Sequence, residues 1–151
     1  MDPARGITSD LVSLTGREGH RLTGWLRKLR GTGQIMYLGF YSHCVSPSGK
    51  AFLKVSFPLP NGAAVVVMCP TVGEDGSLLL QSAGSGFGDA GFYLLANRGG
   101  EMASARYVRA MRESIHVCPA DEGLRADHTL TLFGMAFLRL HYRLLRSSQQ
   151  A

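Results

Sequence analysis

The chain has 151 residues, 16 Lys+Arg against 11 Asp+Glu, a formal net charge of +5, 45% hydrophobic residues and 19 Gly. One domain of this length buries roughly 70% of its unfolded surface and needs no disulfide or metal to hold together. This apolar content excludes a disordered chain. The glycines have no three-residue period, so they exclude collagen and point to many turns.

Residues 1–13 read as a loose tail, and the polar start Met1-Asp2-Pro3-Ala4-Arg5-Gly6 lacks the apolar core of a secretion signal. No apolar run approaches the roughly 18 residues of a membrane-spanning helix. The expectation is therefore a cytoplasmic protein with no membrane partner. From Thr15 to Gly31, Leu22, Trp25, Leu26 and Leu29 fall at i, i+3, i+4 and i+7, the stripe of an amphipathic helix over 15–31. Thr15 would cap it and Gly31 would end it. Gly19 and Gly24 weaken such a helix by about 1 kcal/mol each, so it needs a surface to pack on.

After Gly33 the pattern turns to period two. Eight runs of strand formers follow: Gln34–Cys44, Ala51–Leu59, Ala63–Cys69, Ser77–Ala83, Gly91–Arg98, Met102–Cys118, Leu124–Phe133 and Ala136–Leu145. Turn chemistry separates them, with Pro60-Asn61-Gly62 the strongest hairpin signal. The connections are too short for parallel crossovers, so neighbours pair antiparallel as a meander. Eight strands at 34–145 close into an up-and-down β-barrel, whose lumen is filled by side chains or holds one small ligand. The fold expected is mainly β: a single domain over 1–151, an eight-stranded antiparallel barrel with an N-terminal amphipathic helix.

Basic residues are lopsided, with 13 Arg and only Lys28, Lys50 and Lys54. Phosphate binding would use Arg, but these are spread along the chain, which disfavours nucleic acid. The bias is what a GC-rich bacterial genome produces. Cys44, Cys69 and Cys118 form no CxxC pair and read as small buried hydrophobes. Gly86-Phe-Gly-Asp-Ala-Gly91 matches GxGxxG, yet only a short strand follows where a crossover helix is required. It reads as a glycine-rich turn, with gating of a ligand at the barrel mouth as the functional alternative. His128 opposite His141, flanked by Ser114, would be a two-His site, but no carboxylate joins them, so no metal is assigned.

The acids say more. Only Glu113 and Asp127 fall inside the expected strands, where an unpaired carboxylate is costly. Taking Cys118 opposite Leu124 and Phe133 opposite Ala136 puts Tyr107, Met111, Glu113, Ile115, Asp127, Thr129, Leu138, Leu140 and Tyr142 on one face, with Arg109 near its end. Arg112, His116, His128, Arg139, His141 and Arg143 share the other face, which suits solvent. The first face would line the lumen, the mix of apolar and polar groups expected of a small-molecule site. The competing account is structural: Arg109 and Glu113 ion-paired with neighbours, and Asp127 capping the turn at Arg125. A one-residue slip in either hairpin swaps the faces. Tyr37, Gly39, Tyr41 and His43 share one face of the first run; alternation alone does not say which face is inward. Trp25 packs in the core or lids the lumen.

Strand count and chain length resemble lipocalin-like and allene-oxide-cyclase-like barrels. The latter include cofactor-free cyclases of bacterial polyketide pathways. The lipocalin Gly-x-Trp is absent, because Gly24-Trp25 has no spacer. The likeness covers strand count and chain length only, and fold alone does not give function. A barrel combined with two isolated strand carboxylates leads instead to the expectation of a cofactor-free isomerase or cyclase, of the kind used in secondary metabolism, acting on an apolar small molecule. Glu113, Asp127 and Tyr142 would be catalytic, and Tyr107, Met111, Thr129, Tyr41, Tyr93 and Trp25 would bind the ligand, with no metal or cofactor required. The alternative is a non-catalytic carrier or sensor of a hydrophobic ligand. Either is compatible with a homodimer.

Overall fold

The computed structural model describes residues 6–16, 19–46, 49–99 and 101–145. These form eleven strands and, among the described residues, no α-helix. They are β1 Ile7–Thr15, β2 Arg21–Leu29, β3 Ile35–Val45, β4 Ala51–Leu59, β5 Gly62–Val72, β6 Leu78–Gln81, β7 Gly91–Arg98, β8 Glu101–Val108, β9 Met111–Ala120, β10 Gly123–Leu132 and β11 Met135–Leu144. All pairings are antiparallel, and the sheet curls into a half-barrel.

The eleven strands replace the eight expected, and three of the expected segments change. Of the segment expected as a helix over 15–31, Arg21–Leu29 is β2 and Thr15 belongs to β1, which takes up most of the expected tail and joins β2 from Ile7↔Leu29 to Thr15↔Arg21. Residues 1–5, 17 and 18 lie outside the described residues. β2 carries apolar side chains on both of its faces, and this imitates a helical stripe: in a strand Leu22 and Leu26 point one way and Trp25 and Leu29 the other. The run Met102–Cys118 is two strands, broken by a tight turn at Arg109-Ala110.

The meander forks instead of closing. β5 pairs with β4 along one edge, from Leu53↔Met68 to Leu59↔Gly62. Along the other edge its first half pairs with β7, Gly62↔Ala96 to Val67↔Gly91, and its end pairs with β6, Cys69↔Gln81 to Val72↔Leu78. β7 carries β8, while β6 leads to β9, β10 and β11. Pro70 lies beyond the last β4–β5 pair, where its missing N–H costs no ladder bond on that side. β1, β8 and β11 each have a single strand partner.

The core sits at this fork, on the concave face. Val55, Val66, Met68 and Phe92 are buried together, and Tyr41, Leu53, Phe57, Leu80, Val108, Met111 and Ile115 pack against them. The convex face has its own cover. Residues 84–91 fold over it, held by the Tyr107 hydroxyl donating to the Gly84 carbonyl (3.2 Å) and the Tyr93 hydroxyl donating to the Asp89 carbonyl (2.5 Å). The Gly88 N–H donates to Tyr93 Oη at 3.0 Å. Gly91 leaves room for the Tyr107 ring, which a β-carbon there would overlap. The GxGxxG stretch is thus a connection pinned to the outside of the sheet, not a gate at a barrel mouth.

Candidate functional site

Alternation along β2 and β3 places Trp25, Arg27, Tyr37 and Tyr41 on the concave face, through the pairs Trp25↔Gly39, Arg27↔Tyr37 and Thr23↔Tyr41. Gly39 makes the cluster possible. Tyr37 lies over it, and a β-carbon at Gly39 would stand 2.8 Å from the Tyr37 hydroxyl oxygen. Tyr37 therefore reaches Tyr41, oxygen to oxygen at 2.5 Å. Trp25 packs edge-on to Tyr37 at 5.6 Å, Phe57 does so at 5.5 Å, and Arg27 lies over the Trp25 ring at 5.5 Å. Burial holds both phenols above their ordinary pKa, and at Tyr41 the hydrogen bond with Tyr37 raises it further. Both stay protonated hydroxyls at neutral pH.

The opposite wall comes from β9, β10 and β11. Glu113 pairs across the ladder with Leu130, and Ile115 with His128. His128 pairs with Leu140, and Ala126 with Tyr142. Glu113, His128, Leu140 and Tyr142 thus share the concave face. Glu113 and Tyr142 act electrostatically on Tyr37 and Tyr41, although β4, β5 and β6 intervene in the sheet. The curl brings the two ends of the sheet toward each other.

His128 Nε2 lies 2.6 Å from Glu113 Oε1, with side chains 18% and 11% exposed. That nitrogen is buried without a well-directed hydrogen bond, and so is Arg27 Nε. The contact with Glu113 is therefore an ion-pair distance with poor alignment. Ser82 fixes the position of Glu113. Its hydroxyl accepts from the Glu113 N–H at 2.7 Å, and its own N–H donates to the Glu113 carbonyl at 2.9 Å. Around this polar centre the concave wall is apolar and partly open, with Leu11 71%, Leu138 38% and Leu144 46% exposed.

Of the residues expected at the site, Glu113, Tyr142, Tyr41, Met111 and Trp25 meet on this face. Asp127 and Thr129 do not. Cys118 pairs with Arg125, not Leu124, which turns both residues to the convex side. There Asp127 accepts from His141 Nδ1 at 2.7 Å and meets Arg125 Nε at 3.2 Å. His128 and His141 consequently point to opposite faces, which breaks up the expected two-His grouping. Tyr93 and Tyr107 are also convex and hold residues 84–91. Alternation did not assign Arg27 and Tyr37 to the site: Arg27 was hidden by the helical reading of β2, and Tyr37 by the undecided face of β3. The three cysteines are free and half-buried, not fully buried.

The hydrogen bond from His141, and secondarily the Arg125 charge, hold the Asp127 carboxyl below its ordinary pKa. Its stabilising effect is present above the usual carboxylate range and is lost as pH falls through the lowered value. Asp127→Asn should therefore lose less stability than the parent between pH 5 and pH 2, measured by urea unfolding. Equal losses would show that the contact is energetically silent.

No helix among the described residues is long and apolar enough to cross a membrane, which leaves open what strands do. The chain matches no protein-family model and no solved structure. It is similar, at 29% identity over 136 residues, to a Bacillus subtilis (strain 168) protein described as uncharacterized membrane protein YndJ. The match covers 89% of this chain and 23% of that relative's length.

Proposed function

We propose that the chain is a cytoplasmic binding protein for an amphipathic small molecule. The apolar body of the ligand lies along the concave face, and its oxygen head meets the polar centre. One observation carries this reading: buried Arg27 Nε and His128 Nε2, neither with a directed hydrogen bond, belong to a polar centre set in a partly exposed apolar wall. Arg27 Nε is buried with no hydrogen bond and His128 Nε2 has only its misaligned contact with Glu113; such donors are costly, and a carboxylate, carbonyl or hydroxyl oxygen would satisfy them. The Tyr37–Tyr41 pair and Tyr142 add hydroxyls to the same centre. A relative described as a membrane protein is in keeping with lipid-like ligand chemistry.

Trp25, the only tryptophan, reports on this face directly. Titration with dansyl-undecanoic acid should give saturable energy transfer from Trp25, reversed by unlabelled oleate. Arg27→Ala should weaken binding by about tenfold or more, the worth of a charge-assisted hydrogen bond. Transfer that never saturates, or that oleate does not compete, would overturn the reading.

The second reading is a cofactor-free isomerase or cyclase, favoured by the close approach of Glu113 and His128 beside Tyr142. A carboxylate and an imidazole at that distance could relay a proton. Under this reading Glu113→Gln abolishes turnover while the fold stays intact.

A further inference from the structure

One end of the half-barrel carries two tight turns side by side, Arg109-Ala110 between β8 and β9 and Phe133-Gly134 between β10 and β11. The Phe133 N–H donates to the Ala110 carbonyl at 2.8 Å, and Met111 pairs with Leu132. Both central residues of the second turn have positive φ, 51° at Phe133 and 81° at Gly134. Asn-Gly serves such a turn without strain, whereas a bulky residue at the first position is disfavoured. Here a phenylalanine occupies it and stands 78% exposed. Met135 at 72% and Phe137 at 56% continue the apolar tip.

Arginines surround it. Arg109 and Arg112 line a cleft of about 670 Å³ together with Thr131, Phe133 and Gly134. Arg139 follows on the convex side, opposite Thr129. Residues 109–112 and 131–139 contain no acid, and among the described residues these three arginines form no ion pair. Exposed aromatic and thioether side chains ringed by guanidinium groups match the two layers of an anionic bilayer surface. The apolar groups fit the acyl boundary, and the arginines fit the phosphates just outside it.

We propose that this paired-turn tip docks the protein on anionic phospholipid membranes, with Phe133, Met135 and Phe137 in the interface and Arg109 and Arg112 on lipid phosphates. The sequence expectation of no membrane partner rested on the absence of a spanning run. A tip that only enters the headgroup layer needs no such run. The proposal stands on the turn geometry and its charge, independently of the concave-face ligand.

Co-sedimentation with phosphatidylcholine vesicles, with and without phosphatidylglycerol, tests it. Binding should require phosphatidylglycerol and weaken as salt is raised. The double variant R109S/R112S should lose about 30-fold in the partition constant, at about a factor of five for each arginine near an anionic surface. F133N, which suits the left-handed turn position, should weaken binding by about tenfold while the thermal melt stays unchanged or rises. Equal binding to neutral vesicles, no binding to either, or undiminished binding by both variants would overturn the proposal. So would a concentration-dependent dimer that F133N dissociates, since the tip would then be an interface between copies.

Discussion

Met68→Ala should cost about 2–5 kcal/mol of unfolding free energy, the range for truncating a fully buried methionine. Met68 is 1% exposed and sits where β5 leaves β4 and passes from the β7 branch to the β6 branch. Its side chain belongs to the cluster of Val55, Val66 and Phe92, so the cavity opens at the junction of both branches. A domain of this size holds about 5–15 kcal/mol in total, so the loss is a large share of stability. Leu11→Ala is the control. Leu11 is 71% exposed on edge strand β1, and its truncation should change stability by no more than about 0.5 kcal/mol. Urea unfolding of the two variants measures the difference. A Met68→Ala loss below about 1 kcal/mol would mean that the fork is not the packing centre.

The fork itself was not readable in the chain. Alternation and turn residues place β4 and β7 with the bounds the structure has, because each is a period-two run closed by Gly, Pro or Asn. Nothing local distinguishes a strand that pairs with its sequence neighbour from one that returns to an earlier strand. β6 is only four residues long, and the convex connection after it lets β7 come back to β5. The N-terminal error has a different cause. A strand with apolar residues on both faces and a stripe on one side of a helix share positions at i, i+3, i+4 and i+7. Gly24 and the β-branched residues of β1 tilt the balance toward strand, but only pairing from Ile7 to Thr15 decides it.

The candidate site was legible to the extent that register was. The chain turns from β9 to β10 on Asp121-Glu122 alone, with Gly123 at φ 97°, one step tighter than the pairing of Cys118 with Leu124 allows. That single step exchanges His128 for Asp127 and Thr129 on the Glu113 face. Between β10 and β11 the pairing again differs by one residue, through a register shift at Leu130/Thr131. The second slip undoes the first, so Leu140 and Tyr142 return to the face on which alternation had placed them. The sequence reading thus found the inward carboxylate but not its imidazole partner.

That partnership predicts a separation of stability from binding. Glu113→Leu should destabilise the fold by about 1–3 kcal/mol, because it strands His128, whose side chain is only 18% exposed, without its partner. Adding His128→Leu should recover most of that loss. A well-packed apolar pair in place of a half-buried polar one is close to neutral, and neighbours Leu130, Ile115 and Leu140 offer apolar contact on the same face. The double variant should nevertheless bind dansyl-undecanoic acid at least tenfold more weakly, since the polar centre that would receive the ligand's head is gone. A double-mutant cycle read by urea unfolding, with Trp25 energy transfer on the same samples, provides both numbers. If the double variant regains stability and also binds as tightly as the parent, the Glu113–His128 pair is a packing feature of the concave wall and ligand recognition lies elsewhere. If neither stability nor binding returns, the pair holds β9 against β10, and its role in binding is indirect.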